Sequence, residues 1–426
     1  MSDNNNQKPG LSRRSLFAVS AAVGSTIGLA GPGAALAAAG SDAGRAHANA
    51  IAFRGPHQAG ILTDQQSHTY MATFDMVSTK RDDLIALLQT WTAAAERLTA
   101  GQLVAPAGGG YDASVPLIDS GETVGLSPSR LTLTFGFGPD LFTKDGVDRF
   151  GIAAQKPDAL AALPRFVGDK LIDTKTGGEL SVQACADDPQ VAFHAVRQLA
   201  RLASSTAALR WVQAGFTSAP DPSGTPRNLM GFKDGTQTVT DMNRFVWAGS
   251  EAPRWLQGGS YLVVRRIRIA LEHWDQMKLG FQEQTIGRAK RTGAPIGAKR
   301  EFDALPLAAN DADGNPVIAE NAHVRLANDS TNNGAQILRR GYSYNDGVDF
   351  TTERWPPWRQ GMEYDAGLLF VSYQRDPRTS FIPMFEKLSR FDMLNQFVTH
   401  TGGGIFAVPR GVAPGGYLGQ ELFEPA

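Results

Sequence analysis

Hydrophobic positions with a period of two appear first at Tyr70, Ala72, Phe74 and Met76, and predict a half-buried strand. The period then changes. Leu84, Leu87, Leu88, Trp91 and Leu98 form one apolar stripe at helical spacing, and Thr79 with Asp82 has the spacing of a capping box. Leu131 to Phe135 predicts a second strand, ending in Gly136-Phe137-Gly138-Pro139. Leu180, Val182, Ala184 and Ala186 alternate with Ser181, Gln183 and Cys185 as a third. Asp188-Pro189 supplies the cap and first position of a second helix, with a stripe of Ala192, Ala195, Val196, Leu199 and Leu202. A fourth strand is predicted from Leu209 to Phe216.

This order, β-α-β-β-α-β, is the ferredoxin-like unit, and the second half repeats it. Tyr261 to Ile269 is a strand rich in β-branched residues, followed by a helical stretch from Leu271. Gln336 to Tyr342 and Gly367 to Gln374 read as strands, Thr379 to Arg390 as a helix, and Gly403 to Val408 as a closing strand. Asp188-Pro189 and Asp376-Pro377 each stand between a third strand and its helix, an echo that supports duplication. The expected class is α+β with duplicated ferredoxin-like domains, divided as 51–225 and 226–426. A long insertion, about 281–335, has few regular elements, and loops of that length inside a compact domain are usually functional or disordered.

Composition narrows the class. Of 426 residues, 42% are hydrophobic and 19% charged, which suits a soluble globular protein with a real core. A formal net charge of −1 provides no basic field for nucleic acid. The single cysteine, Cys185, excludes an intrachain disulfide and a Cys-rich metal site, and is read as a packed or half-exposed thiol. At the N-terminus, Ser12-Arg13-Arg14-Ser15-Leu16-Phe17 carries a twin arginine, an apolar stretch runs from Phe17 to Ala39, and Ala35-Leu36-Ala37 fits a cleavage site. Residues 1–37 are therefore expected to be a twin-arginine (Tat) signal peptide and 38–50 a linker, with export by the Tat machinery to the periplasm or the extracellular space. That route carries folded proteins, often with a cofactor inserted, and fits a chain without disulfides.

Candidate chemistry is limited by what is missing. The seven histidines show no H-x-x-x-H pair and no Cys/His cluster, no G-x-S-x-G elbow occurs, and nothing matches a P-loop. His194 beside a helix stripe is read as structural. The segment Asn228-Leu229-Met230-Gly231-Phe232-Lys233-Asp234-Gly235-Thr236 holds one carboxylate between two glycines, and by itself reads as an Asp-Gly hairpin turn. His323 lies in the long insertion, in Ala322-His323-Val324-Arg325-Leu326-Ala327, and Leu338-Arg339-Arg340-Gly341-Tyr342 follows it. Taken singly, each is as well explained by an exposed loop or a solvated face.

Together these segments resemble the dye-decolourising (DyP-type) haem peroxidases, a family of two ferredoxin-like domains joined as an α+β barrel. Gly231 to Gly235 is similar to its G-x-x-D-G motif, Ala322 to Ala327 to the segment of its proximal histidine, and Leu338 to Tyr342 to that of its distal arginine. Asp365-Ala366-Gly367-Leu368-Leu369-Phe370-Val371, His57 to Ile61, Leu131 to Gly138 and Ile286 to Lys290 extend the likeness over roughly 50 to 420. Twin-arginine export resembles the bacterial A-type members, including the deferrochelatase-like ones. Two departures stand out. Thr236-Gln237-Thr238-Val239 follows Gly235 where relatives often have an Asn-Pro pair, and Asp329 stands where Ala-Asn-Pro is commoner.

The resemblance implies haem b, one per chain, and a secreted peroxidase. It would use hydrogen peroxide to oxidise dyes, phenols or other reductants through an oxoferryl state. His323 would be the axial ligand of the haem iron and Asp392 its carboxylate partner, although Asp392 also fits a helix-end cap. Asp234 would be the acid–base on peroxide and Arg339 the fixed positive charge beside it. Gly231, Lys233, Gly235 and Thr236 would lie close to the haem, Leu368 and Phe370 would form an apolar wall, and Arg227 and Arg288 would meet haem carboxylates. Trp255, Tyr342, Tyr344 and Tyr373 are candidates for a surface radical site serving large donors. An alternative is a haem- or iron-handling protein of an iron or copper uptake system, with peroxidase activity secondary. A third reading is a cofactor-free scaffold. A homo-oligomer is compatible with each.

Overall fold

The computed structural model describes residues 49–105, 114–218, 224–352 and 360–424. The expected signal segment and nearly all of the linker lie outside them. No helix of the described residues is long and apolar enough to cross a membrane.

The first half folds as β1 (His68–Met76), α1 (Arg81–Thr99), β2 (Thr132–Phe137), β3 (Leu180–Ala186), α2 (Pro189–Ala203) and β4 (Ala207–Phe216). The second folds as β5 (Ser260–Ile269), α3 (Leu279–Ile286), α4 (His323–Leu326), β6 (Leu338–Arg339), β7 (Tyr342–Thr352), β8 (Gln360–Gln374), α5 (Phe381–Phe391) and β9 (Val398–Val408). All strand pairings of the sheet are antiparallel. In space the first half runs β2-β3-β1-β4 and the second β7-β8-β5-β9, the same ferredoxin-like order twice. The halves join at two narrow seams, Phe137 opposite Ala407 and Phe216 opposite Ser343, so the strands close into a ring with no free side. Closure leaves these strands no unpaired backbone edge along the ring.

Each strand then has an inner and an outer face. The inner face is filled by Met71, Trp211, Leu262, Val264, Leu369, Val371 and Phe406. The outer face of the first half packs Phe74, Leu133, Phe135 and Val182 against Leu88, Trp91 and Leu199 of α1 and α2. This explains why β3 is buried at every position although its sequence alternates: both faces are covered. Cys185 is buried inside the ring.

Several elements differ from expectation. Lys80, not Thr79, is the residue before α1, and the local hydrogen bond runs from Ser78 Oγ to Asp83 Oδ2 at 2.6 Å, which leaves Asp82 free to face outward. The strand expected over Gln336 to Tyr342 is broken at Arg340-Gly341, because the Arg340 guanidinium turns inward to Thr63 O and Gln66 Oε1. Strand β8 begins seven residues before Gly367. Its first half exposes Met362 and Tyr364 and buries Glu363 on Arg268, the reverse of a core strand's pattern.

Gly367 sits where β8 meets β5 opposite Arg268, and a Cβ there would lie 1.9 Å from the carbonyl oxygen of Ile267. Only a residue without a side chain permits this approach. Gly367→Ala is expected to lower the unfolding free energy by about 1–3 kcal/mol, read by chemical denaturation.

Candidate functional site

The site lies on the outer face of the second half. There Ile267 and Ile269 of β5, Leu368 and Phe370 of β8, and Val398 and His400 of β9 face Phe381, Met384, Phe385 and Leu388 of α5 across a cavity of about 270 Å³. The insertion supplies the remaining wall, with Ile286, Arg288, Leu305, His323 and Val324.

The segment at 226–236 forms a tight turn at the rim. Asn228 Oδ1 accepts from the backbone N–H of Met230 at 3.1 Å and of Phe232 at 3.2 Å. Arg227 and Lys233 pair across the turn as an antiparallel bridge, and Asp234 N–H donates to Pro226 O at 2.9 Å. Gly231 has φ +84°, a left-handed conformation that the turn requires. The local Asp-Gly turn and a carboxylate aimed at a cavity are therefore one structure. Asp234 Oδ1 accepts from Arg339 Nη1 at 2.9 Å, and both side chains line the cavity.

His323 begins α4, and its Nδ1 lies 2.6 Å from Asp392 Oδ2. A carboxylate only accepts, so Nδ1 carries the proton and Nε2 keeps the lone pair. Asp392 also ends α5, and its Oδ1 accepts from Leu394 N–H at 2.8 Å. Oδ1 thus caps the start of the 3-10 turn Met393–Gln396, the backbone N–H of Asp392 closes α5 on Leu388 O, and Oδ2 is left for the histidine. Met393 N–H donates to Asn321 O at 3.2 Å, so backbone also joins these segments. Burial acts to lower the His323 pKa, but the charge and hydrogen bond of Asp392 outweigh it and raise the imidazole above its ordinary value.

Lys233, Asp234, Gly235, Thr236, Arg288, His323, Arg339, Leu368, Phe370 and Asp392 all line the cavity. Gly231 and Arg227 do not. Arg227 donates to the carbonyls of Gly231 (2.8 Å), Lys290 (2.6 Å) and Arg291 (2.8 Å), so its guanidinium braces backbone. It lines a smaller adjoining pocket of about 50 Å³, which shares Asp234 and Arg339 with the main cavity. Arg288 Nη1 donates to Gly293 O at 2.7 Å and Glu301 O at 2.9 Å, and burial lowers its pKa. The Lys233 ammonium pairs with Glu301.

The expectation of a surface radical site at Trp255, Tyr342, Tyr344 or Tyr373 is not met: all four are 2% exposed or less. Tyr344 and Tyr373 belong to the cluster that fills the ring, the Tyr342 hydroxyl meets Cys185 there, and Trp255 packs between Phe137 and Phe142.

Sequence reading missed Asp329, Gln336 and His400, which line the cavity, and Glu301, which stands behind it. Asp329 accepts from Gln336 Nε2 at 2.9 Å, at the position where the motif departs from its relatives. The insertion's unusual length was the only signal for Glu301.

Two family models match the chain: Dyp-type peroxidase, N-terminal, over residues 58–217, and Dyp-type peroxidase, C-terminal, over residues 225–413. A dye-decolorizing peroxidase of Thermobifida fusca is 40% identical over 81% of this chain and 77% of its own. The chain belongs to the Dyp-type peroxidase family. A deferrochelatase of Yersinia pestis is 38% identical over 87% of this chain and 84% of its own. Among solved structures, DtpA of Streptomyces lividans, in an oxyferrous complex, superposes with a TM-score of 0.78 at 39% identity, covering 88% of this chain and 98% of that one.

The residues of this family member suit a flat apolar group with a metal at its centre: aliphatic and aromatic walls, one imidazole lone pair, and a cation at Arg288. Asp392→Asn removes the charge that does most to raise the imidazole of His323, leaving burial and Arg339, which lower it, against the smaller opposing influence of Asp234. The His323 pKa in haem-free protein is expected to fall relative to wild type, read by NMR titration.

Proposed function

We propose that this Dyp-type peroxidase binds haem b in the cavity and uses hydrogen peroxide to oxidise dyes, phenols or similar reductants. The observation that carries this reading is the meeting of two pairs, His323 with Asp392 and Asp234 with Arg339, in one cavity with apolar walls. Bound haem supplies a redox-active iron at which peroxide is reduced and electrons from the donor are returned.

The chain's own residues do the rest. His323 would hold the iron through Nε2, while Asp392 fixes the ring and makes it more electron-rich through the Nδ1 hydrogen bond. Asp234 would accept a proton from one peroxide oxygen and return it to the other. Arg339 keeps that carboxylate oriented and offers a fixed positive charge to the oxygen that leaves. Leu368 and Phe370 exclude water, which strengthens both electrostatic effects. Arg288, with donors beyond those spent on carbonyls, would face a haem carboxylate.

A second reading is supported by the deferrochelatase relatives: the same cavity would handle haem iron for an uptake system, with an iron or copper uptake partner. Export by the Tat machinery and a periplasmic or extracellular location belong to the same proposal and rest on the sequence alone; a homo-oligomer is compatible with it.

Protein produced with haem should show a Soret band, and His323→Ala should lose or strongly shift it; an unchanged spectrum would exclude His323 as ligand. Asp234→Ala should slow the reaction of the bound haem with peroxide by about 10²–10⁴-fold, and Arg339→Ala by about 10²–10³-fold, in stopped-flow absorbance. Release of free iron from haem without peroxide, at wild-type rate in both variants, would favour the second reading.

A further inference from the structure

We propose that Glu301 is a positioning residue that holds Asp234 at its working place, an inference that rests on the role given to Asp234 above. Glu301 comes from the insertion, more than sixty residues from the turn it serves, and its side chain is only 9% exposed. Its carboxylate takes three side-chain donors, all from the segment that carries Asp234. Oε1 accepts from Thr225 Oγ1, and from Thr236 Oγ1 at 2.9 Å. Oε2 accepts from Lys233 Nζ. These donors stand on both sides of Asp234, one immediately before it and one two residues after.

The geometry makes the carboxylate a hub rather than a surface ion pair. Burial alone would push its pKa up, but Lys233 and the two threonines hold it below the ordinary glutamate value. The Lys233 stem runs so close to Gly293 that a Cβ there would lie 2.7 Å from Lys233 Cδ. The carbonyl of Glu301 also accepts from Arg288 Nη1 at 2.9 Å, so one residue ties the Asp234 turn to a cavity-lining cation. Asp234 itself is held by its backbone N–H on Pro226 O and by Arg339 on its carboxylate. Arg227 on Lys290 O and Arg291 O and Trp274 Nε1 on Met230 O anchor the start of the turn, and Glu301 anchors the flank on either side of Asp234. Without it, a partly buried ammonium loses its partner and the turn can shift. A displacement on the order of 1 Å at a reacting group costs about 100-fold.

The test compares wild-type holoenzyme with Glu301→Ala, Glu301→Gln and Asp234→Ala. Stopped-flow absorbance gives the second-order rate with hydrogen peroxide, steady-state oxidation of a dye gives KM and kcat, and hydrogen exchange by mass spectrometry reads the amides of residues 226–236. Glu301→Ala is expected to slow the peroxide step about 10- to 100-fold, with haem content and the KM for the dye unchanged and faster exchange over the turn. Glu301→Gln keeps an acceptor for the threonines but no charge for Lys233, and should recover part of the rate. A wild-type peroxide rate in a haem-loaded Glu301→Ala overturns the proposal. If that variant does not fold, a wild-type rate and wild-type exchange in Glu301→Gln overturn it. An Asp234→Ala holoenzyme that keeps the wild-type rate overturns the reading of Asp234 itself. A slow Asp234→Ala beside a fast Glu301→Ala overturns the role of Glu301 alone.

Discussion

The hydrogen bond of 2.6 Å between His323 and Asp392 is the interaction on which the rest of the site depends. It joins the insertion to the end of α5, two segments 69 residues apart. It decides which imidazole nitrogen is protonated, and so which one offers a lone pair to the cavity. A histidine in a loop would otherwise be free to choose either tautomer and several orientations. Here the carboxylate makes that choice, and it is itself held by Leu394 N–H.

The ring of strands contributes rigidity rather than chemistry. Its interior is packed with the side chains of both halves. The cavity instead occupies the outer face of the second half, the region that α1 and α2 cover in the first. In the second half the insertion takes over part of that covering. It brings His323, Arg288 and Glu301, while β6 and β8 bring Arg339 and the apolar wall. Duplication thus made two similar surfaces, and the second was kept open.

The alternation at Tyr70 to Met76, the stripe from Leu84 to Leu98 and the Asp-Pro helix starts were legible because each element buries one local face, and local spacing reports that directly. The first half of β8 was not, because its buried position is Glu363 and its exposed ones are Met362 and Tyr364. The break at Arg340 was not, because it answers to Thr63 and Gln66, far away in the chain. Asp234, His323, Arg339 and Asp392 were found only through a family resemblance of several segments in order. Arg227 was assigned by charge type, yet charge type does not say that three carbonyls already surround it.

By itself the sequence determined the order of elements, the duplicated α+β plan and the residue types able to ligate a metal or move a proton. These are local properties, set by periodicity and by side-chain chemistry. Tertiary structure decided which of those residues share a space. Closure of the ring buried three tyrosines that were expected at the surface. The covering insertion brought an imidazole to the cavity where the 226–236 turn and β6 set a carboxylate–guanidinium pair, and it placed Glu301 behind the turn. Those pairings join positions 69 and 105 residues apart, a separation at which spacing along the chain carries no information about distance in space.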